Sequence, residues 1–168
     1  MYIHIYTTLV LLRKIIDKFN SKKIGYALIG GYAVALHGAV RGTVDIDLAV
    51  SLKESSLIVV ENVMTELGLV SKIPVSASEI AKFRLEFIEN RNLKVWSFVN
   101  PNNPIDLVDL LLIHDLKEFK IVKKKTTFGT INIVSIDNLI KLKEEAARPQ
   151  DLADIEALIR IKNETRQK

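Results

Sequence analysis

The segment TVDIDLAV, residues 43–50, constrains this chain more than any other. In a strand its period-2 alternation places Val44, Ile46 and Leu48 on one face and Asp45, Asp47 and Ala49 on the other. Two carboxylates thus emerge side by side, with backbone positions about 6.5–7 Å apart. Their flexible ends can converge on metal ions spaced roughly 3.5–4 Å. Taken alone, a D-x-D strand also suits a solvent-facing edge that holds no metal.

The preceding segment adds a second signal. Tyr26 to Ile29 reads as a short buried strand, Gly30-Gly31 as a tight turn, and Tyr32 to His37 as the start of a helix closed by Gly38. Glycine lets backbone approach phosphate closely, and the helix that follows offers unpaired N–H groups and the positive end of its dipole. A Gly-Gly pair alone is an ordinary turn; ahead of an acidic strand it becomes part of a motif.

Elsewhere, Leu9, Leu12, Ile15, Ile16 and Phe19 recur at helical spacing and predict an N-terminal amphipathic helix over about 8–19. Helical patterns follow at Glu54 to Leu67 and Ser78 to Asn90. Strands are expected at Thr43 to Ser51, Leu93 to Val99, Ile105 to Leu110 and Ile131 to Val134, the middle two joined by a Pro101 to Pro104 turn. C-terminal helices are expected over about 137–161, with Pro149 opening the last. No repeat, low-complexity tract or long linker divides residues 1–168, and 48% hydrophobic residues can furnish the core of one domain. The predicted fold class is α/β (α+β): a mixed, twisted sheet of about five strands with helices mainly on one side.

YALIGGYAVALHG followed by RGTVDIDLAV resembles the Gly-Gly and Asp-x-Asp signature of the polymerase beta-like nucleotidyltransferase superfamily. The branch it most resembles is the AbiEii-like group of type IV toxin–antitoxin nucleotidyltransferases. Arg41 and Thr43 match that branch's R-x-T element, PIDLV matches its third acidic strand, and LIKLKEEAARPQDLADIEAL matches its C-terminal polar pattern through Lys143, Arg148, Asp151 and Asp154. Residues 69–99 match nothing in it. The resemblance implies the nucleotidyltransferase fold, with Asp45, Asp47 and Asp106 as catalytic metal ligands and Gly30, Gly31, Arg41, Thr43 and Lys143 as nucleotide-binding residues. It implies two Mg²⁺ ions, which Mn²⁺ can replace, and transfer of an NMP from an NTP, ATP included, to a hydroxyl acceptor. That acceptor is RNA such as a tRNA end, a small molecule or a protein, and the toxin setting would add an antitoxin partner.

Asp106 and Asp109 compete for the third carboxylate, because strand parity puts them on opposite faces. The family pattern selects Asp106 and leaves Asp109 as a surface residue at the strand end. Gly31 stands where many superfamily members carry serine, so phosphate binding here relies on backbone N–H groups. Lys143 and Arg148 are read as cations for phosphate or as solvated side chains, and Arg41 as orienting the acids or holding phosphate. Asp151 and Asp154, in the first turns of a helix, are chiefly structural.

The remaining composition narrows the chemistry. Without cysteine there is no disulfide or thiolate site, and His4, His37 and His114 have no metal spacing, so a metal must be hard and oxygen-bound. Residues 1–12 are apolar, but Arg13 and Lys14 follow rather than precede them, so a cytoplasmic protein without a membrane span is expected. A net charge of +4 allows a polyanionic partner, and Lys117, Lys120 and Lys123 to Lys125 form a run that suits RNA or a solvated face. Oligomeric state is not legible. Two other classes fit the same residues: a non-catalytic nucleotide-binding module and a magnesium-dependent phosphohydrolase. Three clustered acids disfavour an idle site, and the Gly-Gly turn disfavours the hydrolase.

Overall fold

A computed structural model describes residues 2–127 and 129–167, with the side chains of residues 2–6 and 166 outside the described set, so the expectation for His4 lies outside the described residues. Helix α1 (Tyr2–Ser21) begins earlier than its apolar spacing predicts. It buries Leu11, Leu12, Ile15, Ile16 and Phe19 while Arg13, Lys14 and Asp17 face water.

The sheet has seven strands among the described residues rather than five. Five are the expected ones: β1 (Tyr26–Leu28), β2 (Ile46–Val50), β4 (Val95–Asn100), β5 (Asn103–Leu111) and β7 (Gly129–Val134). The additions are the two edges, β3 (Val70–Ser71) and β6 (Ile121–Thr126), in the order β3-β4-β5-β2-β1-β7-β6. Neither shows apolar alternation. β3 has only two residues, and β6 contains Lys123, Lys124 and Lys125, whose charge deters pairing with another chain. The basic run therefore has a structural role at the far edge from β3.

Helices lie on both faces, not mainly on one. Tyr26, Leu28, Leu48 and Val50 share a face by register, and Phe19 of α1 touches the Tyr26 ring there at 5.7 Å between centroids. Helix α3 (Glu54–Glu66) packs beside α1, and α4 (Ala77–Arg91) beside α3. Against the opposite face, where Asp47 points, stand α2 (Gly30–His37), α5 (Ile136–Ala146) and α6 (Pro149–Arg166). Gly38 ends α2 with φ 115°, and Pro149 opens α6, both as the sequence predicts.

The unassigned stretch 69–99 supplies β3, α4 and most of β4. A Ser76–Glu79 capping box starts α4, and Asn92 in the left-handed region ends it. Trp96 is fully buried, its indole N–H donating to Ser71 Oγ at 2.9 Å. Among the described residues no helix is long and apolar enough to cross a membrane.

Candidate active site

Register decides which third acid joins the first two. β2 runs parallel to β5 with Ile46 beside Val108, Asp47 beside Asp109 and Leu48 beside Leu110. Laterally paired residues share a face, so Asp109 stands next to Asp47, about 4.8 Å away along the hydrogen-bonding direction. Asp106 has the parity of the buried Val108 and Leu110 and is itself buried on their face, where its Oδ2 accepts from Asn100 Nδ2 at 3.2 Å. The assignment of Asp106 to the acidic cluster is thus corrected to Asp109. Matching PIDLV to a family pattern fixed the strand but not the parity of its acids.

Asp45, Asp47 and Asp109 line one cleft of ≈ 460 Å³, together with Gly30, Gly31, Arg41, Thr43 and Lys143. Strand β2 starts at Ile46, one residue past Asp45, which leaves Asp45 exposed at the mouth while Asp47 is half-buried. Burial first, then the charges of Asp109 and Asp45, pushes the Asp47 carboxyl up to about 7 against the pull of Arg148 and Lys143. Burial also raises the Asp109 carboxyl, although a hydrogen bond from the Ser97 hydroxyl opposes it. Asp109 Oδ1 is buried without a partner.

These acids fit a hard divalent cation. The donors are all oxygen, the like charges repel, and one carboxylate oxygen is buried and unsatisfied, so a cation would relieve each cost. Among the described residues, no group of three or more histidines and carboxylates is drawn together closely enough to hold a metal ion as it stands, so these acids would have to converge on one. The acids instead border an open cleft.

The glycines belong to the acids as much as to any ligand. A Cβ on Gly30 would fall 1.9 Å from Asp47 Oδ2, and Gly30 also has φ +61°. A Cβ on Gly31 would fall 2.7 Å from Thr43 Oγ1. The turn thus seats Asp47 and Thr43 as well as leaving N–H groups free at the start of α2. Gly30→Ala is expected to cost about 1–2 kcal/mol from the left-handed backbone and to displace the Asp47 carboxylate. Chemical denaturation and titration with Mn²⁺ check the two effects separately.

Lys143 and its neighbours form a buried charge network. The Lys143 ammonium donates to Asp151 Oδ1 at 2.9 Å and Asp154 Oδ2 at 2.6 Å. Arg41 Nε pairs with Asp154 Oδ1 at 3.1 Å, and Arg148 Nε donates to Asp151 Oδ2 at 2.8 Å. Burial pushes Asp151 up, but the hydrogen bonds from Arg148 and Lys143 outweigh it and bring the carboxyl to about 2. Lys143 is therefore a fixed cation at the cleft wall, not a mobile one. Arg148, with a side chain 70% exposed, is the freer cation beside the acids.

His37 lies at the end of α2 with Nε2 2.8 Å from the Val134 carbonyl oxygen, and burial lowers its pKa. It pins α2 to β7 as a neutral donor and does not line the cleft. Sequence reasoning did not single out Lys72, Lys94 or Ser97. Register brings Ser97 beside Asp109 and Lys72 beside Ser97, while Lys94 lines the cleft from the start of β4, and a sequence carries no direct mark of register.

The fold is shared with solved nucleotidyltransferases. A lincosamide antibiotic adenylyltransferase, LnuA, solved with lincomycin bound, superposes with TM-score 0.61 at 14% identity, over 92% of this chain and 96% of that one. The antibiotic-resistance factor ANT(2'')-Ia superposes with TM-score 0.63 at 13% identity, over 97% and 93% of the two chains. An antigenic nucleotidyltransferase-like protein from Paracoccidioides brasiliensis gives TM-score 0.58 at 15% identity, over 92% and 76%. At such identities the likeness shows the shared fold. No protein-family model matches the chain, and no curated protein matches it either.

Proposed function

We propose that this protein is a metal-dependent nucleotidyltransferase that moves an NMP from an NTP such as ATP to a hydroxyl acceptor. The observation that carries this reading is the lateral pairing of Asp47 with Asp109, beside Asp45 and against the Gly30-Gly31 turn, in one cleft. Support comes from structures of the same fold, one of them ANT(2'')-Ia in complex with adenylyl-2''-tobramycin.

In this reading Asp45, Asp47 and Asp109 hold Mg²⁺, which when bound neutralises phosphate charge and lowers the pKa of an acceptor hydroxyl. The free N–H groups at the start of α2 take the triphosphate oxygens, aided by the positive end of the helix dipole. Lys143 already gives two of its three N–H donors to Asp151 and Asp154 and presents the third to phosphate. Arg148 adds an exposed guanidinium on the same side. Asp109 accepts the acceptor's hydroxyl proton, the freed oxygen bonds to the α-phosphorus, and the bond to the β-phosphate oxygen breaks as pyrophosphate leaves.

Incubation with each α-labelled NTP, MgCl₂, and RNA, protein or small hydroxyl acceptors tests the reading. Label joined to an acceptor, and lost on chelation by EDTA, is the expected result. No transfer to any acceptor class contradicts it. The AbiEii-like likeness of the motifs extends the proposal to a toxin acting on RNA: induced expression then arrests growth, and Asp47→Asn relieves the arrest. Arrest by the variant as strong as by the wild type removes the enzymatic toxin reading.

The raised Asp47 carboxyl also fixes a pH dependence for the metal-free protein. Its folded pKa of about 7 exceeds the unfolded value of 3.8, so the native state holds more protons between them. Stability is greatest below about pH 4 for this group and falls as pH rises through about 7. In EDTA, Asp47→Asn is expected to flatten that slope and to gain roughly 2–4 kcal/mol at pH 8. Urea denaturation at pH 5 and pH 8 reads both; a variant as pH-sensitive as the wild type contradicts the assignment.

A further inference from the structure

Strand β4 shows the acids' face of the sheet Val95, Ser97 and Val99, each half-buried, while Trp96 and Phe98 are buried on the other face. The one hydroxyl in this row stands at the register position opposite Asp109. With Asp47 on the other side of Asp109, a polar row Asp47, Asp109, Ser97 crosses three neighbouring strands. Paired residues share a face and lie close at Cβ, so the Ser97 hydroxyl meets the Asp109 carboxylate.

The contacts around Ser97 fix it in that place. The Lys72 N–H donates to the Ser97 carbonyl at 2.9 Å. On the opposite face the Trp96 indole N–H donates to Ser71 Oγ, which itself donates to the Ile73 carbonyl at 2.7 Å. Short as it is, β3 thereby locks the register of β4. A slip of one residue would set Trp96 or Phe98 against Asp109 instead of a hydroxyl.

Asp109 Oδ1 is buried without a partner, so the Ser97 hydroxyl serves the other oxygen. Burial raises the Asp109 carboxyl most, and the Ser97 hydrogen bond opposes it ahead of the charges of Asp45 and Lys72. The cations of the cleft wall are engaged elsewhere: Lys143, Arg148 and Arg41 pair with Asp151 and Asp154. An aspartate carboxylate turns readily about χ2, and a donor on one oxygen fixes its plane. Ser97 does not itself line the cleft, so its hydroxyl reaches a ligand only through Asp109. A serine in a half-buried strand is often plain filling, but valine fills that role at 95 and 99 and at 97 would leave Asp109 without this donor.

We propose that Ser97 is a positioning residue for the metal site, its hydroxyl holding the Asp109 carboxylate so that Oδ1 stays available for a divalent cation shared with Asp45 and Asp47. The proposal rests on the reading of these three acids as cation ligands. Outer partners that orient a ligating carboxylate commonly matter to affinity almost as much as the ligand.

Titration with Mn²⁺ followed by electron paramagnetic resonance, without nucleotide or acceptor, tests this on variants whose fold circular dichroism verifies. Ser97→Ala and Ser97→Val are expected to weaken Mn²⁺ binding about tenfold or more, and Ser97→Thr to stay within about threefold of wild type. Threonine and valine share one shape, so the hydroxyl alone separates them. Ser71→Ala, which removes the hydroxyl under Trp96 on the opposite face, should bind Mn²⁺ like the wild type. Wild-type affinity in Ser97→Ala or Ser97→Val, a Ser97→Thr as weak as Ser97→Val, or an equal loss in Ser71→Ala overturns the proposal. A wild type that binds no Mn²⁺ removes the cation reading and this proposal with it. Mn²⁺ binding that follows the expected order in a protein that transfers no nucleotide strikes the nucleotidyl-transfer reading alone.

Discussion

Asp109→Asn is expected to lower nucleotidyl transfer by more than about a thousandfold, the loss that follows when several kcal/mol of transition-state stabilisation disappear. The carboxylate stands laterally paired with Asp47 in the cleft, so under the proposed function its removal takes away both a metal ligand and the acceptor of the hydroxyl proton. NTP binding should fall less, because the Gly30-Gly31 turn, Lys143 and Arg148 remain in place. Asp106→Asn, on the other face, should leave transfer within a few-fold of wild type, about the size of a surface or packing perturbation. Steady-state rates for the two variants, measured with the acceptor that wild type uses, check the pair. A dead Asp106→Asn beside an active Asp109→Asn would reverse the assignment.

The second large effect concerns folding. Lys143→Met should destabilise the protein by about 3 kcal/mol or more, since it leaves two buried carboxylates short of a cation. Asp151 and Asp154 have side chains only 2% and 5% exposed, and each retains one arginine, Arg148 and Arg41 respectively. Adding Asp154→Asn to Lys143→Met should recover part of the loss, because the second change removes one of the stranded charges. Urea denaturation of the single and double variants measures this. A single variant within about 0.5 kcal/mol of wild type would mean that Lys143 is solvated after all.

Much of the site was readable because its residues are local. The Gly-Gly turn, Arg41, Thr43 and the Asp45–Asp47 pair lie within eighteen consecutive residues, where strand alternation and turn chemistry act without help from the rest of the chain. Gly38, Pro149 and the apolar stripe of α1 were legible for the same reason. The third acid was not, because its position depends on which residue of β5 pairs with Asp47, and a one-residue slip exchanges the two faces. Asp106 and Asp109 are three apart and flanked alike by apolar residues, so parity alone separates them. The edge strands escaped notice because an edge strand needs no second apolar face: β3 is short, and β6 reads as a basic run. Lys143 looked like a helix-surface cation until α6 brought two carboxylates to it.

The measurement that bears most directly on the central claim follows the two ends of the triphosphate in parallel reactions. With α-labelled ATP and MgCl₂, label is expected to appear on the acceptor, while γ-labelled ATP yields labelled pyrophosphate; both signals should vanish in Asp47→Asn. Should another NTP be the donor, the same pattern holds for that nucleotide. Release of labelled orthophosphate from γ-labelled NTP, with no α-label transferred, would contradict the account and make the cleft that of a phosphohydrolase.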